Sequence, residues 1–288
     1  FSTAQAKPPS NVNVQILAVN DFHGALDAST ATVPNTSPAV KYYVGGVEYL
    51  SARLKADAAT NPNTVKVSAG DMIGASPLLS SIFHDEPTIN AFNLMGFEFS
   101  AVGNHEFDEG WQELLRMQNG GCHPVDGCIP GVPVFTGATF KYMTANVIRL
   151  DNGQTPFPSF MVKQIGSVKV GFIGISLEST PTIVVPSGVA GLEFQPEVDA
   201  INRYVKYLKD TEGIKTFVVL LHDGAAPVTG ADMNACNPAD PFFTNVVMKV
   251  DPEVDALITG HSHSAYNCQI TVKKNYGPML VTSAGSNG

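Results

Sequence analysis

The sequence predicts a layered α/β fold with mixed sheets, and three observations carry that prediction. Short apolar runs at residues 14–19, 64–67, 97–102, 169–175, 217–221, 256–258 and 279–281 have the length of strands. Between several of them lie helical patterns with apolar residues three and four apart: VEYLSARLKADAA from Val47, WQELLRMQ from Trp111 and VDAINRYVKYLK from Val198. Gly166 and Ser167 separate FMVKQI from VKVGFIGI and predict a hairpin, so a sheet holding it is not purely parallel.

This alternation continues to the last residues with no Pro/Ser-rich or charged linker, so one unit spanning 1–288 is expected. At 288 residues, 44% hydrophobic and 15% charged, the chain can bury a full core without staples. The net charge of −9 and 17 scattered basic residues argue against a nucleic-acid groove, which needs clustered Lys and Arg; a small molecule is the expected partner. No run approaches the roughly 20 apolar residues of a membrane span.

The opening FSTAQAKPPSN has the small, polar, Pro-containing character of a mature terminus left after signal removal. Residues 119–133 and 224–241 read as long loops, and both contain cysteines. Cys122 and Cys128 bracket NGGCHPVDGC, with Cys236 and Cys268 as the remaining pair. An even count in loop contexts points to disulfides in an oxidising compartment, placing the protein outside the cytoplasm as a secreted, periplasmic or cell-surface protein, although four cysteines permit three pairings. The competing reading is a zinc site at Cys122 and His123, but the spacing lacks a CxxC and a partnering HxxxH.

Potential metal ligands fall directly after five of the strand-like runs: Asp21 and His23 in NDFH, Asp71 in GD, Asn104 in GNHEFD, His222 in LHDG, and His261 and His263 in GHSH. Loops beyond the carboxyl ends of strands converge in open α/β sheets, so these groups are placed to meet. A set of carboxylate, imidazole and amide without cysteine suits zinc, manganese or iron. Two sites of about four ligands need a shared group, and a carboxylate bridges best; Asp71 is the candidate bridge.

In their order along the chain, NDFHG, GD with the following Pro77, GNHEFD, LHDG and GHSH resemble the motifs of the 5′-nucleotidase family of calcineurin-like metallophosphoesterases. The resemblance implies a four-layer αββα fold and two divalent metal ions. Asp21, His23, Asp71 and His263 would hold one ion, and Asp71, Asn104, His222 and His261 the other. Some relatives carry Gln where this chain has His263. His105 and Asp108 would form a catalytic pair that ligates no metal, Asp108 orienting an imidazolium that serves the leaving oxygen, with Asn104 and His105 also touching substrate. Water activated between the cations would attack phosphorus from the opposite side. Family members usually carry a second, C-terminal domain that grips the nucleotide; nothing here corresponds to it, so a fragment with weak base selectivity is expected.

Each motif alone has an ordinary explanation: Asn104 as a turn residue, Asp108 as a helix N-cap ahead of Trp111, the histidines as satisfied surface groups. Five in order, each behind an apolar run, are hard to reach by chance. Glu106 reads as structural, His84 and His123 read as lacking companion ligands, and Asp223 is a candidate to accept a ligand imidazole's other N–H. No GxSxG, GxxxxGK[ST] or GxGxxG motif competes. The expected reaction is therefore removal of phosphate from nucleotides. Alternatives are a 2′,3′-cyclic nucleotide phosphodiesterase or a nucleotide-sugar or diphosphate hydrolase, and, from another class, a secreted binding or adhesion module with a vestigial site.

Overall fold

The computed structural model describes residues 11–32, 40–226, 232–234, 236–273 and 275–288. Residues 1–10 of the opening segment and part of the predicted 224–241 loop lie outside the described residues. In chain order the strands are β1 (Gln15–Val19), β2 (Ser29–Thr32), β3 (Lys41–Val44), β4 (Thr64–Ser68), β5 (Phe99–Ala101), β6 (Lys141–Met143), β7 (Val147–Arg149), β8 (Phe160–Ile165) and β9 (Val168–Ile175). They continue with β10 (Leu192–Phe194), β11 (Phe217–Leu221), β12 (Val254–Thr259), β13 (Ala265–Ile270) and β14 (Met279–Ala284). The helices are α1 (Val47–Ala58), α2 (Leu78–Ser81), α3 (Glu86–Met95), α4 (Trp111–Asn119), α5 (Glu197–Glu212) and α6 (Pro241–Asn245).

Two sheets dominate. One is parallel, in the order β1-β4-β5-β6. The other runs β13-β14-β12-β11-β9-β8, parallel in its centre and antiparallel at both edges. The predicted hairpin at Gly166 and Ser167 is the β8–β9 edge, with Ile165 opposite Val168.

The layering follows from where alternate strand residues point. Phe217, Val219 and Leu221 of β11 join Ile173, Ile175 and Leu257 in a cluster with Ala200, Ile201, Val205 and Leu208 of α5 and with Phe242 and Phe243 of α6. The intervening Val218 and Leu220 face the other way. With Phe172 and Ile258 they meet Val65, Val67, Phe99, Ala101 and Met143 of the first sheet. The far face of that sheet packs Tyr142 and Val19 against Leu54 of α1, Ile89, Phe92 and Met95 of α3, and Leu114 and Met117 of α4. Three apolar layers thus separate four structural ones, helix, sheet, sheet and helix, which is the αββα arrangement expected. A strand buried on both faces needs a continuous apolar run, and FVVLL supplies it.

Among the described residues no helix is long and apolar enough to cross a membrane. Disulfides join Cys122 to Cys128 and Cys236 to Cys268. That pairing removes the zinc reading at Cys122, because a disulfide sulfur has no thiolate to offer a metal.

Phe172 is fully buried between the sheets. Phe172→Ala is expected to destabilise the fold by about 3–5 kcal/mol through lost transfer energy and a residual cavity. Denaturant unfolding checks this as a lowered midpoint at unchanged slope.

Candidate metal centre

All five predicted ligand-bearing loops leave the carboxyl ends of parallel strands. Those after β1, β4 and β5 come from the first sheet, and those after β11 and β12 from the second. The loops are stitched to one another beyond the strands. Asp21, His23 and Gly24 donate backbone N–H groups to the carbonyls of Gly70, Asp71 and Met72, each at 3.0 Å. Two glycines permit the close approach: a Cβ on Gly103 would stand 2.1 Å from Asp71 Oδ1, and one on Gly70, at φ +93°, would stand 2.7 Å from His222 Nδ1. Asp21, His23, Asp71, His261 and His263 all take left-handed backbone conformations, with φ between 48° and 64°. Asp and His tolerate this region better than most residues, yet its concentration here marks a constrained site.

The structure brings all seven predicted ligands together. His222 Nε2 lies 3.0 Å from Asp71 Oδ2 and 3.1 Å from Asn104 Oδ1, and His261 Nδ1 lies 3.0 Å from the same Asn104 oxygen. On the other side, His23 Nε2 is 3.9 Å from both Asp21 Oδ1 and Asp71 Oδ2, and His263 Nε2 is 3.4 Å from Asp21 Oδ1 and 3.1 Å from His23 Nε2. Ligating atoms of Asp21, His23 and His263 form one cluster within 4.8 Å of each other, and those of Asp71, His222 and His261 another; His23 and Asp71 also group with His105.

The donor chemistry fits cations. His222 Nδ1 donates to the Ala69 carbonyl at 2.8 Å and His23 Nδ1 to Gly74 at 2.9 Å, which leaves each Nε2 as a bare lone pair aimed into the site. His222 Nε2, Asp71 Oδ2 and Asn104 Oδ1 are then three acceptors converging in a buried space, which only a proton or a metal ion satisfies. Where a proton does the work, burial opposes the imidazolium, but the Asp71 carboxylate outweighs it and holds His222 up to about 10. Asp71 shows the converse: burial disfavours its charge, and His222 draws its pKa down.

At the mouth of the site, His105 Nδ1 donates to Asp108 Oδ2 at 2.8 Å, and both side chains are about one-third exposed. Its backbone N–H is fixed by Asp71 Oδ1 at 2.9 Å. The Asp108 hydrogen bond heads the influences on the His105 ring: it outweighs burial and raises the pKa, favouring the imidazolium.

Two residues do more than sequence reasoning assigned them. Glu106 accepts backbone N–H groups from Asp71 (2.8 Å), Met72 (2.8 Å) and Gly103 (2.6 Å), clasping the GD and GN loops together with one buried carboxylate. Asn20 donates to Asp21 Oδ2 at 2.7 Å and to the Gly285 carbonyl at 2.6 Å while accepting from Ala284, so it ties the end of β1 to the end of β14. Its place immediately before Asp21 was the available signal. Two expectations need correction. Asp223 does not take up the other N–H of His23 or His222, since backbone carbonyls have both; its Oδ1 accepts the Gly224 backbone N–H at 2.7 Å instead. His84 and His123 are not without companions, because their rings stack at 3.8 Å beside Glu109.

The calcineurin-like phosphoesterase model matches residues 14–265, most of the chain and every motif of the site. The chain belongs to that family. It is 33% identical over 277 residues to the endonuclease YhcR of Bacillus subtilis, covering 95% of this chain but 21% of that protein. It is 35% identical over 285 residues to the cell wall protein Lmo0130 of Listeria monocytogenes, covering 92% of this chain and 35% of that one. The chain thus spans about a third or less of the length of these two relatives. Among solved structures, a 5′-nucleotidase precursor from Thermus thermophilus superposes with a TM-score of 0.72 at 22% identity, over 96% of this chain and 49% of that one.

Glu106→Gln places an amide N–H where Glu106 accepts backbone N–H groups, and the buried amides left unsatisfied cost about 1–3 kcal/mol each. A lowered thermal midpoint, together with weaker metal retention on dialysis, is the expected result.

Proposed function

We propose that this chain hydrolyses phosphate esters of small molecules with two divalent cations, and that nucleotides are the substrate class. The observation that carries the reading is the position of buried Asp71, within 3.9 Å of His23 on one side and 3.0 Å of His222 on the other, beside a paired His105 and Asp108. Asp21, His23, Asp71 and His263 would hold one ion; Asp71, Asn104, His222 and His261 the other. Imidazole and carboxylate together favour zinc, manganese or iron. When bound, such ions polarise phosphoryl oxygens and lower the pKa of attacking water.

The chain's own groups do the rest. Asn104 turns its carbonyl oxygen toward His222 and His261, and its amide N–H₂, without a hydrogen-bond acceptor among the described residues, would serve a phosphoryl oxygen. Asp108 fixes the ring of His105 through Nδ1, leaving Nε2 to donate a proton to the leaving oxygen. A recess of about 230 Å³ opens beside His263, lined by Met233, Asn237, Asp240, Phe243 and Tyr266, and has the size and mixed polarity to take part of a small ester.

Kinship with proteins named 5′-nucleotidase supports the nucleotide reading, while the relative named endonuclease makes a phosphodiester the second one. The acidic chain, at −9, favours the small substrate. We place the work outside the cytoplasm on the strength of the two disulfides and the cell wall relative. Residues 1–288 act as one catalytic unit in this reading.

Turnover of AMP, p-nitrophenyl phosphate, 2′,3′-cyclic AMP, a UDP-sugar and single-stranded DNA by the zinc- or manganese-loaded chain tests the assignment; no hydrolysis of any of them would sink it. AMP and p-nitrophenyl phosphate are expected to be cleaved at comparable rates, the base adding little. His105→Asn is expected to lower kcat by roughly a hundredfold or more with metal content unchanged. Asp71→Asn should instead empty both sites, read by elemental analysis, and a binding module would show no activity for either change to remove.

A further inference from the structure

A second cluster of ligand-type side chains lies on the other side of the His105–Asp108 pair. We propose that His84, His123 and Glu109, with Glu113 behind them, form a separate site for one divalent transition metal ion of the zinc class.

Three segments far apart in sequence build it. His84 sits between α2 and α3 in a left-handed conformation at φ 51°; Glu109 and Glu113 flank the start of α4; and His123 comes from the loop closed by the Cys122–Cys128 disulfide. That loop is further pinned by reciprocal backbone hydrogen bonds between His123 and Gly127 at 3.2 and 3.0 Å. His123 is therefore delivered on a small rigid ring.

The ligating atoms of these four residues lie within 4.8 Å of one another. His84 Nδ1 is 2.7 Å from Glu109 Oε2, and His123 Nε2 is 4.0 Å from the same oxygen. The first distance is a hydrogen bond; the second is too long for one. Ligands of one tetrahedral zinc ion stand about 3.3 Å apart, given bonds of about 2.0–2.1 Å; the two rings now stack in parallel at 3.8 Å, so one imidazole turns out of the stack for both in-plane lone pairs and the carboxylate to reach a common ion.

The surroundings suit that role. The other nitrogen of His84 meets Asp126 Oδ2 at 2.9 Å, the carboxylate–imidazole arrangement that orients a metal-bound histidine. His123 Nδ1 now accepts the Asp126 backbone N–H at 3.1 Å; on binding metal through Nε2 the ring takes its proton at Nδ1 and turns it to Asp126 Oδ2, 3.6 Å away. Glu113 is already held by Arg116 through both oxygens, which fixes its position and tempers its charge. Two imidazoles among carboxylates favour a borderline ion over calcium or magnesium.

The site adjoins the proposed chemistry without sharing a ligand with it. A cavity of about 120 Å³ is lined by His84, Glu109 and Glu113 together with His105 and Asp108. An ion gripping Glu109 would fix the turn that carries Asp108, and so the residue that orients His105.

Zinc content after equilibration with Zn²⁺ buffered in the micromolar range tests the proposal. His84→Ala and His123→Ala are each expected to hold one equivalent fewer per chain than the parent, while showing the parent's cooperative unfolding in EDTA. His84→Gln, closer in size and polarity, should lose the same equivalent. Asp71→Asn should retain this equivalent while losing those of the main centre, so failure of one site is distinguishable from failure of the other. Unchanged zinc content in both histidine variants, or filling only at millimolar zinc, would overturn the assignment.

Discussion

The constraint on which the rest depends is a surplus of acceptors around a floor buried from solvent. Asp71, Asn104 and the Nε2 of His222 point at one another across about 3 Å, and backbone carbonyls have taken the protons that His23 and His222 had to give. Such a set is costly to bury unless something positive sits among it. A proton suffices for His222, as its raised pKa shows, and a second group of acceptors gathers around Asp21 and His263. The fold accepts left-handed backbone at five of these positions and removes side chains at Gly70 and Gly103 to keep the set in place.

That arrangement explains why the centre lies on the seam between two sheets. A single parallel sheet offers loops spread along one edge at a spacing of roughly 4.8 Å per strand. Two sheets packed face to face bring a second row of strand ends opposite the first, which lets His222 and His261 close over Asp71 and Asn104 from above. The inter-sheet layer of Val67, Phe99, Phe172, Val218 and Leu220 is thus what sets the distance across the site. Asn20 and Glu106 act in the same sense with polar groups. One links the ends of β1 and β14; the other links two loops of the first sheet.

What the sequence made legible follows the same division. Strands buried on both faces are long apolar runs, so β9, β11 and most of β12 could be read, β4 showed itself by its two inward valines, and the polar residues following those runs stood out as the site. Strands β2, β3, β6, β7, β10 and β13 were not read. In β13 the sequence AYNCQI alternates, with Tyr266 and Cys268 inward, but it follows GHSH so closely that the motif masks it. Helix α3 was missed because Pro87, Thr88 and Asn90 dilute its apolar face of Ile89, Phe92 and Met95, and it becomes visible only from its packing and its left-handed Gly96 cap. The pairing of His84 with His123 had no local signal at all, since it is created by α4 and the disulfide loop folding back.

Burial is graded across the centre, and the gradient separates two tasks. Asp21, Asp71 and His222 form a floor with essentially no solvent access, whereas His105, Asp108 and His263 stand at the opening. A floor residue is held by backbone groups of two loops and cannot change without disturbing both. A rim residue is held by one or two contacts and faces whatever enters. Substitution at the rim can therefore redirect chemistry at small structural cost, while the floor stays fixed by its own hydrogen bonds. Net charge acts on neither. At ordinary salt a charge more than about 8 Å away is largely screened, so an acidic surface leaves an anionic substrate free to reach a floor whose local field would be set by cations bound there.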